Sequence, residues 1–78
     1  MTYDEKNKVI AEIIGDTKVE NYHECWNKLM RVANHLKTLS ESVCTPFGKY
    51  YLSFNIDIMY DNIWEYVSFL NKNPELWK

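Results

Sequence analysis

Apolar residues recur at three- and four-residue steps in three stretches of the chain and at two-residue steps in a fourth. Val9, Ile10, Ile13 and Ile14 make the first stripe, extended across its start by Tyr3, and predict a helix over residues 4–14. Thr2 and Glu5 have the spacing of a capping box, in which each side chain accepts the other's free backbone N–H. Gly15 follows as a residue able to take the left-handed conformation that ends helices. Tyr22, Cys25, Trp26, Leu29, Ala33 and Leu36 predict the longest helix, over residues 22–39, with Asn21 as its N-cap and Glu24 three residues on. At 100° per residue these six fall within about 100° of arc, the width of a core-facing stripe. Glu24, Asn27, Lys28, Arg31, Asn34 and Thr38 take the opposite side.

Residues 40–46, Ser-Glu-Ser-Val-Cys-Thr-Pro, interrupt the helical period and predict a loop. From Tyr50 the period falls to two. Tyr50, Leu52, Phe54, Ile56 and Ile58 alternate with Tyr51, Ser53, Asn55 and Asp57, the pattern of a half-buried strand. A strand cannot satisfy its own backbone, so it needs a partner. That partner is either a short strand near Ser42–Thr45, turned through Pro46–Lys49, or another copy of the chain. Tyr60, Ile63, Trp64, Val67 and Leu70 predict a last helix over residues 59–72, capped by Asp57 or Asp61. Asn73-Pro74 stops it, because the residue before proline disfavours helical geometry. Residues 74–78 form a short tail. The expected fold is therefore α+β, one domain over residues 1–78: two N-terminal helices, a short β-hairpin or single paired strand, and a C-terminal helix.

Composition narrows the picture. The 78 residues are 46% hydrophobic and 26% charged, with 2 Gly and 2 Pro, which is the balance of a folded chain rather than a disordered one. Such a length cannot enclose a large cofactor or a deep cleft. The net charge of -2 is unevenly spread. Asp4, Glu5, Glu12, Asp16, Glu20 and Glu24 make the first third acidic, while Lys28, Arg31, Lys37 and Lys49 against Glu41 make the middle basic. No apolar run is long enough to span a membrane. The polar start, Met1 to Lys8, lacks the apolar centre of a signal peptide. Cytoplasmic residence is expected, with Cys25 and Cys44 as free thiols.

The string Tyr22-His23-x-x-Trp26-x-x-Leu29-Met30-x-Val32 resembles a group of small uncharacterised proteins of Bacteroidetes and their phages. Those chains carry a Y-H-x-x-W-x-x-L-M-x-V helix, a β-segment and a closing helix, here represented by Tyr60, Glu65, Val67, Phe69, Leu70 and Asn71. The resemblance covers roughly residues 10–72. It implies a phage or mobile-element setting in bacterial cytoplasm, and it implies no activity.

Candidate chemistry is sparse. Two His and two Cys are enough for zinc by count, but His23 and Cys25 lie two apart and diverge by about 200° on a helix. His35 and Cys44 are distant in sequence, so no metal site and no cofactor is expected. Asp57 and Asp61, four apart, have the spacing of paired carboxylates, yet a helix cap and a solvated first-turn acid account for them. No catalytic residue is assigned. Lys28, Arg31 and Lys49 with Glu24 nearby are too few for a nucleic-acid surface, so that role is unlike this chain.

The aromatics carry the sharper signal: 3 Trp, 6 Tyr and 3 Phe are more than a small core holds. Phe69 projects about 150° from the centre of its helix's core stripe, among Asp61, Asn62 and Glu65. Tyr66 flanks it and Trp77 lies in the tail. Aromatics beside acids are typical of protein-contact surfaces, so Tyr66, Phe69, Trp77, Asp61 and Glu65 are the candidate partner-binding residues. The alternative is that the tail folds back and Trp77 covers Phe69. The expected function is that of a small non-enzymatic phage or mobile-element accessory protein acting on a host or phage protein, a counter-defence inhibitor being one version. The alternatives are an oligomeric small-ligand module, with a homodimer joined through the β-edge, and a weak nucleic-acid-binding accessory.

Overall fold

The computed structural model of the protein describes residues 2–43 and 55–77. They form three helices, α1 (Tyr3–Ile14), α2 (Trp26–Val43) and α3 (Ile56–Lys72), with a single 3₁₀ turn at Pro74–Leu76 closing the chain. Among the described residues there is no strand. The expected α+β domain is thus corrected to one that is all-helical over the described residues.

The correction turns on the two ends of the expected hairpin. Ile56, Asp57 and Ile58, read as the end of a strand, are the first turn of α3. Asn55 is the reason: its side-chain oxygen accepts the N–H groups of Asp57 (2.9 Å) and Ile58 (3.2 Å), taking the role expected of Asp57 or Asp61. Asp57 then sits in the first turn, where the helix dipole favours an anion. Ile56 and Ile58 share one face of a strand but diverge by about 200° on a helix. Ile56 accordingly packs on the core, whereas Ile58 is 54% exposed. At the other end, Ser42 and Val43 belong to the last turn of α2. The rest of the expected hairpin, residues 44–54 with Cys44, lies outside the described residues. Among the described residues, the β-edge homodimer and the ligand module built on it have no strand to stand on.

α1 forms as expected. Thr2 Oγ1 accepts the Glu5 N–H and Glu5 Oε1 accepts the Thr2 N–H, both at 3.2 Å. Gly15 ends the helix at φ 79°, its N–H donating to the Ala11 carbonyl. α2 starts four residues later than the pattern indicates. Tyr22–Glu24 make a turn closed by Glu24 N–H to Asn21 O (3.1 Å), and the Leu29 N–H reaches back to the Cys25 carbonyl (3.0 Å). α2 also runs through Ser40, whose Oγ donates to the Lys37 carbonyl at 2.8 Å and so meets its own polar need.

The core lies between the three helices, with α1 packed against both others. Ile10 and Ile13 of α1, Leu29 and Leu36 of α2, and Ile63 and Leu70 of α3 are buried. Val32 fills the place expected of Trp26, which turns outward at 39% exposure. Tyr22 is wholly buried, but from the α1–α2 connection rather than from α2. On α3, Met59 and Tyr66 join the core, and Trp64 stays half-buried beneath the Lys6 ammonium, 5.5 Å from its ring centre. Leu76 and Trp77 fold back onto the same core. The Trp77 indole N–H donates to the Leu70 carbonyl at 2.7 Å, which closes the C-terminal end of α3.

The α1–α2 connection is tied down by charge. Arg31 donates from both terminal nitrogens to Asp16 (2.8 and 2.7 Å), Tyr22 donates its hydroxyl to the same carboxylate, and Lys28 pairs with Glu20 at 2.9 Å. The Arg31 guanidinium, helped by the Tyr22 hydroxyl, holds the Asp16 carboxyl at about 2 against the opposing effect of its burial. A carboxylate whose pKa is depressed on folding stabilises the fold above its ordinary value, 3.8, and loses that contribution as pH falls through the folded value. Solvent reaches Arg31, so the contribution is about 1–2 kcal/mol rather than the full linkage value. Thermal melts are expected to weaken between about pH 4 and pH 2. Asp16→Asn flattens that decline; an unchanged decline in Asp16→Asn contradicts the assignment.

Candidate functional site

Two polar clusters are joints of the fold, one at the partly exposed α1–α2 connection and one in the interior. The Asp16–Arg31–Tyr22 clamp is one. The other crosses the α1–α3 seam, where Asn7 is buried with both halves of its amide engaged. The Tyr60 hydroxyl donates to Asn7 Oδ1 at 2.7 Å. In this orientation the Asn7 amide nitrogen donates to His23 Nδ1 at 3.1 Å, and His23 Nε2 faces Glu24 at 3.3 Å. Tyr3 stacks on the imidazole, centroids 4.1 Å apart and planes within 4°. Burial, with the charge effects of Tyr3 and Asp61 adding to it, pushes the Tyr60 phenol well above its ordinary range, so it stays a donor. Among the described residues no buried side-chain nitrogen or oxygen lacks a partner. His, Cys, Asp and Glu nowhere gather in threes suited to a metal ion among those residues.

The surface is more informative. The structure splits the five residues proposed for partner binding. Tyr66 is 2% exposed and belongs to the core, its ring 6.1 Å from that of Phe69. Trp77 is half-buried in the C-terminal closure. Asp61, Glu65 and Phe69 are exposed, Phe69 at 43%. These three, with Asp57, stand four residues apart and line up as one ridge along α3: Asp57, Asp61, Glu65, Phe69. Ile58 flanks its start. The outer face of α3 thus carries an apolar side chain near each end and carboxylates between, over about 16 Å from Ile58 to Phe69. Sequence reasoning missed Ile58 because a two-residue period assigned it to a buried strand face. The i+4 spacing of Asp57, Asp61, Glu65 and Phe69 was the signal that places the ridge.

Among the described residues, the other exposed large apolar side chains, Tyr3, Val19 and Trp26, lie on α1, the connection and α2. Lys28 and Arg31, the cations weighed for nucleic-acid contact, are held by Glu20 and Asp16. No helix of the described residues is long and apolar enough to cross a membrane. No family model, curated protein or solved structure matches this chain, so what the α3 ridge does has to follow from its own chemistry.

Proposed function

We propose that the protein is a non-enzymatic binding module that docks on a partner protein through the outer face of α3. In the setting that the Tyr22–Val32 resemblance implies, it is a phage or mobile-element accessory protein of the bacterial cytoplasm that occludes a host or phage protein, inhibition of a host defence factor being one form. The observation that carries the reading is the exposure of Ile58 and Phe69 on one helix face, at 54% and 43%. Leucine- or phenylalanine-sized groups that reach this far into water on one face, rimmed by acids, make the centre of a contact surface.

The test is capture from host lysate with the parent and with an Ile58→Ala, Phe69→Ala variant. Exposed side chains contribute within about 0.5 kcal/mol to stability, so the variant keeps its fold. The parent is expected to enrich a defined protein that the variant loses. Equal recovery by both, with the variant's helicity intact, contradicts the reading.

A further inference from the structure

The ridge on α3 is charged in a way the fold does not require. Asp57, Asp61 and Glu65 are exposed and make no ion pair with another described residue, whereas Asp16 and Glu20 are paired at 2.7 and 2.9 Å. Like charges at four-residue spacing repel and weaken a helix by a few tenths of a kcal/mol per pair. The N-terminal position of Asp57 accounts for that residue. Asp61 and Glu65 lie beyond the first turn, where the helix dipole offers no compensation. The ridge then ends in Phe69, an apolar ring in water. Lys72 is the basic residue in α3's last turn.

We propose that this ridge is recognised by a cationic protein surface: a row of lysine or arginine side chains spaced to meet Asp57, Asp61 and Glu65, with an apolar pocket at one end that takes Phe69. The proposal deepens the docking reading above and rests on it. Charge complementarity selects the occupant. A nucleic acid or an anionic lipid surface meets three carboxylates and is repelled. A second copy docked antiparallel through the same ridge sets Asp61 against Glu65 and Asp57 against Phe69, pairing acid with acid. A basic protein partner relieves the repulsion within the ridge and gains speed of association, both of which salt weakens.

The experiment uses the full chain and a defined probe, a synthetic helical peptide with lysine at every fourth position on one face and leucine beside the last lysine. A counterpart with glutamate in place of lysine is the control. Fluorescence anisotropy is expected to show saturable binding to the lysine peptide alone, weakened about tenfold or more on raising salt from about 50 mM to about 500 mM. Asp61→Lys with Glu65→Lys is expected to weaken it at least about tenfold, the neutral pair Asp61→Asn with Glu65→Gln less, and Phe69→Ala several-fold. Trp26→Ala, on another helix, leaves it unchanged. Circular dichroism confirms that each variant keeps its helices.

Absence of saturable binding, binding unaffected by the charge reversal, or equal binding of the glutamate peptide overturns the proposal. So does a dimer in sedimentation that Phe69→Ala dissolves, because the occupant is then a second copy. If the lysine peptide fails while Ile58→Ala, Phe69→Ala still abolishes capture from lysate, the partner chemistry is wrong and the docking face stands. If both fail, the docking reading falls as well.

Discussion

Tyr22→Ala is expected to lower the unfolding free energy by about 3–5 kcal/mol, the range for truncating a fully buried aromatic. A domain of this length has about 4–12 kcal/mol in total, so the variant sits near or below the limit of folding. The effect is large because Tyr22 does two things at once. Its ring is wholly buried against the core although it comes from the connection between α1 and α2, and its hydroxyl donates to Asp16, the carboxylate that Arg31 grips from α2. Burial and the adjacent Asp16 push its phenol up to about 12, which keeps it protonated and donating throughout the neutral range. Tyr22→Phe keeps the ring and loses the hydrogen bond, so it should cost only about 1–2 kcal/mol. Urea unfolding of the two variants separates the contributions. A loss in Tyr22→Phe as large as in Tyr22→Ala means that the hydroxyl, not the packing, holds the connection.

Asn7→Ala is the second large effect, expected at about 2–4 kcal/mol. It strands the buried Tyr60 hydroxyl and removes the partner of the part-buried His23 Nδ1, and an unpaired buried polar group costs more than the bond it made. Tyr60→Phe leaves one acceptor bare on Asn7 and should cost about 1–2 kcal/mol. The two substitutions act on one contact, so the double variant should fall short of the sum by at least about 0.5 kcal/mol. Strict additivity in that cycle contradicts a shared Tyr60–Asn7 bond. The same network explains a polar residue on the inner face of α1, where the stripe of Val9, Ile10, Ile13 and Ile14 leads one to expect only apolar packing.

These residues also show how far the sequence is readable. α1 is legible almost to the residue, because Thr2, Glu5 and Gly15 are local signals whose effect does not depend on the rest of the fold. The stop of α3 at Asn73-Pro74 is legible for the same reason. The start of α3 is not, because a handful of alternating residues satisfies a strand and the first turn of a helix alike, and the decision falls to the Asn55 cap. α2 misleads at both ends for tertiary reasons. Tyr22 has the spacing to extend the helix but is drawn off by Asp16, and Ser40 looks like a breaker but bonds back to Lys37.

The candidate site was half legible. The outward placement of Phe69, Asp61 and Glu65 follows from the phase of the core stripe alone. Tyr66 lies at the edge of that stripe, where packing against neighbours decides between core and surface. Ile58 was lost with the strand. Its recovery matters most, since it turns a single exposed ring into a face with two apolar points.

That face exists only if α3 begins at Ile56, and nuclear magnetic resonance of the backbone and side chains reads this directly. Helical carbon shifts unbroken from Ile56 to Lys72, with contacts from Ile56 to the core and none from Ile58 to Ile10 or Ile63, are the expected result. Extended shifts at Ile56 to Ile58, or an Ile58 side chain in contact with those core residues, would contradict it.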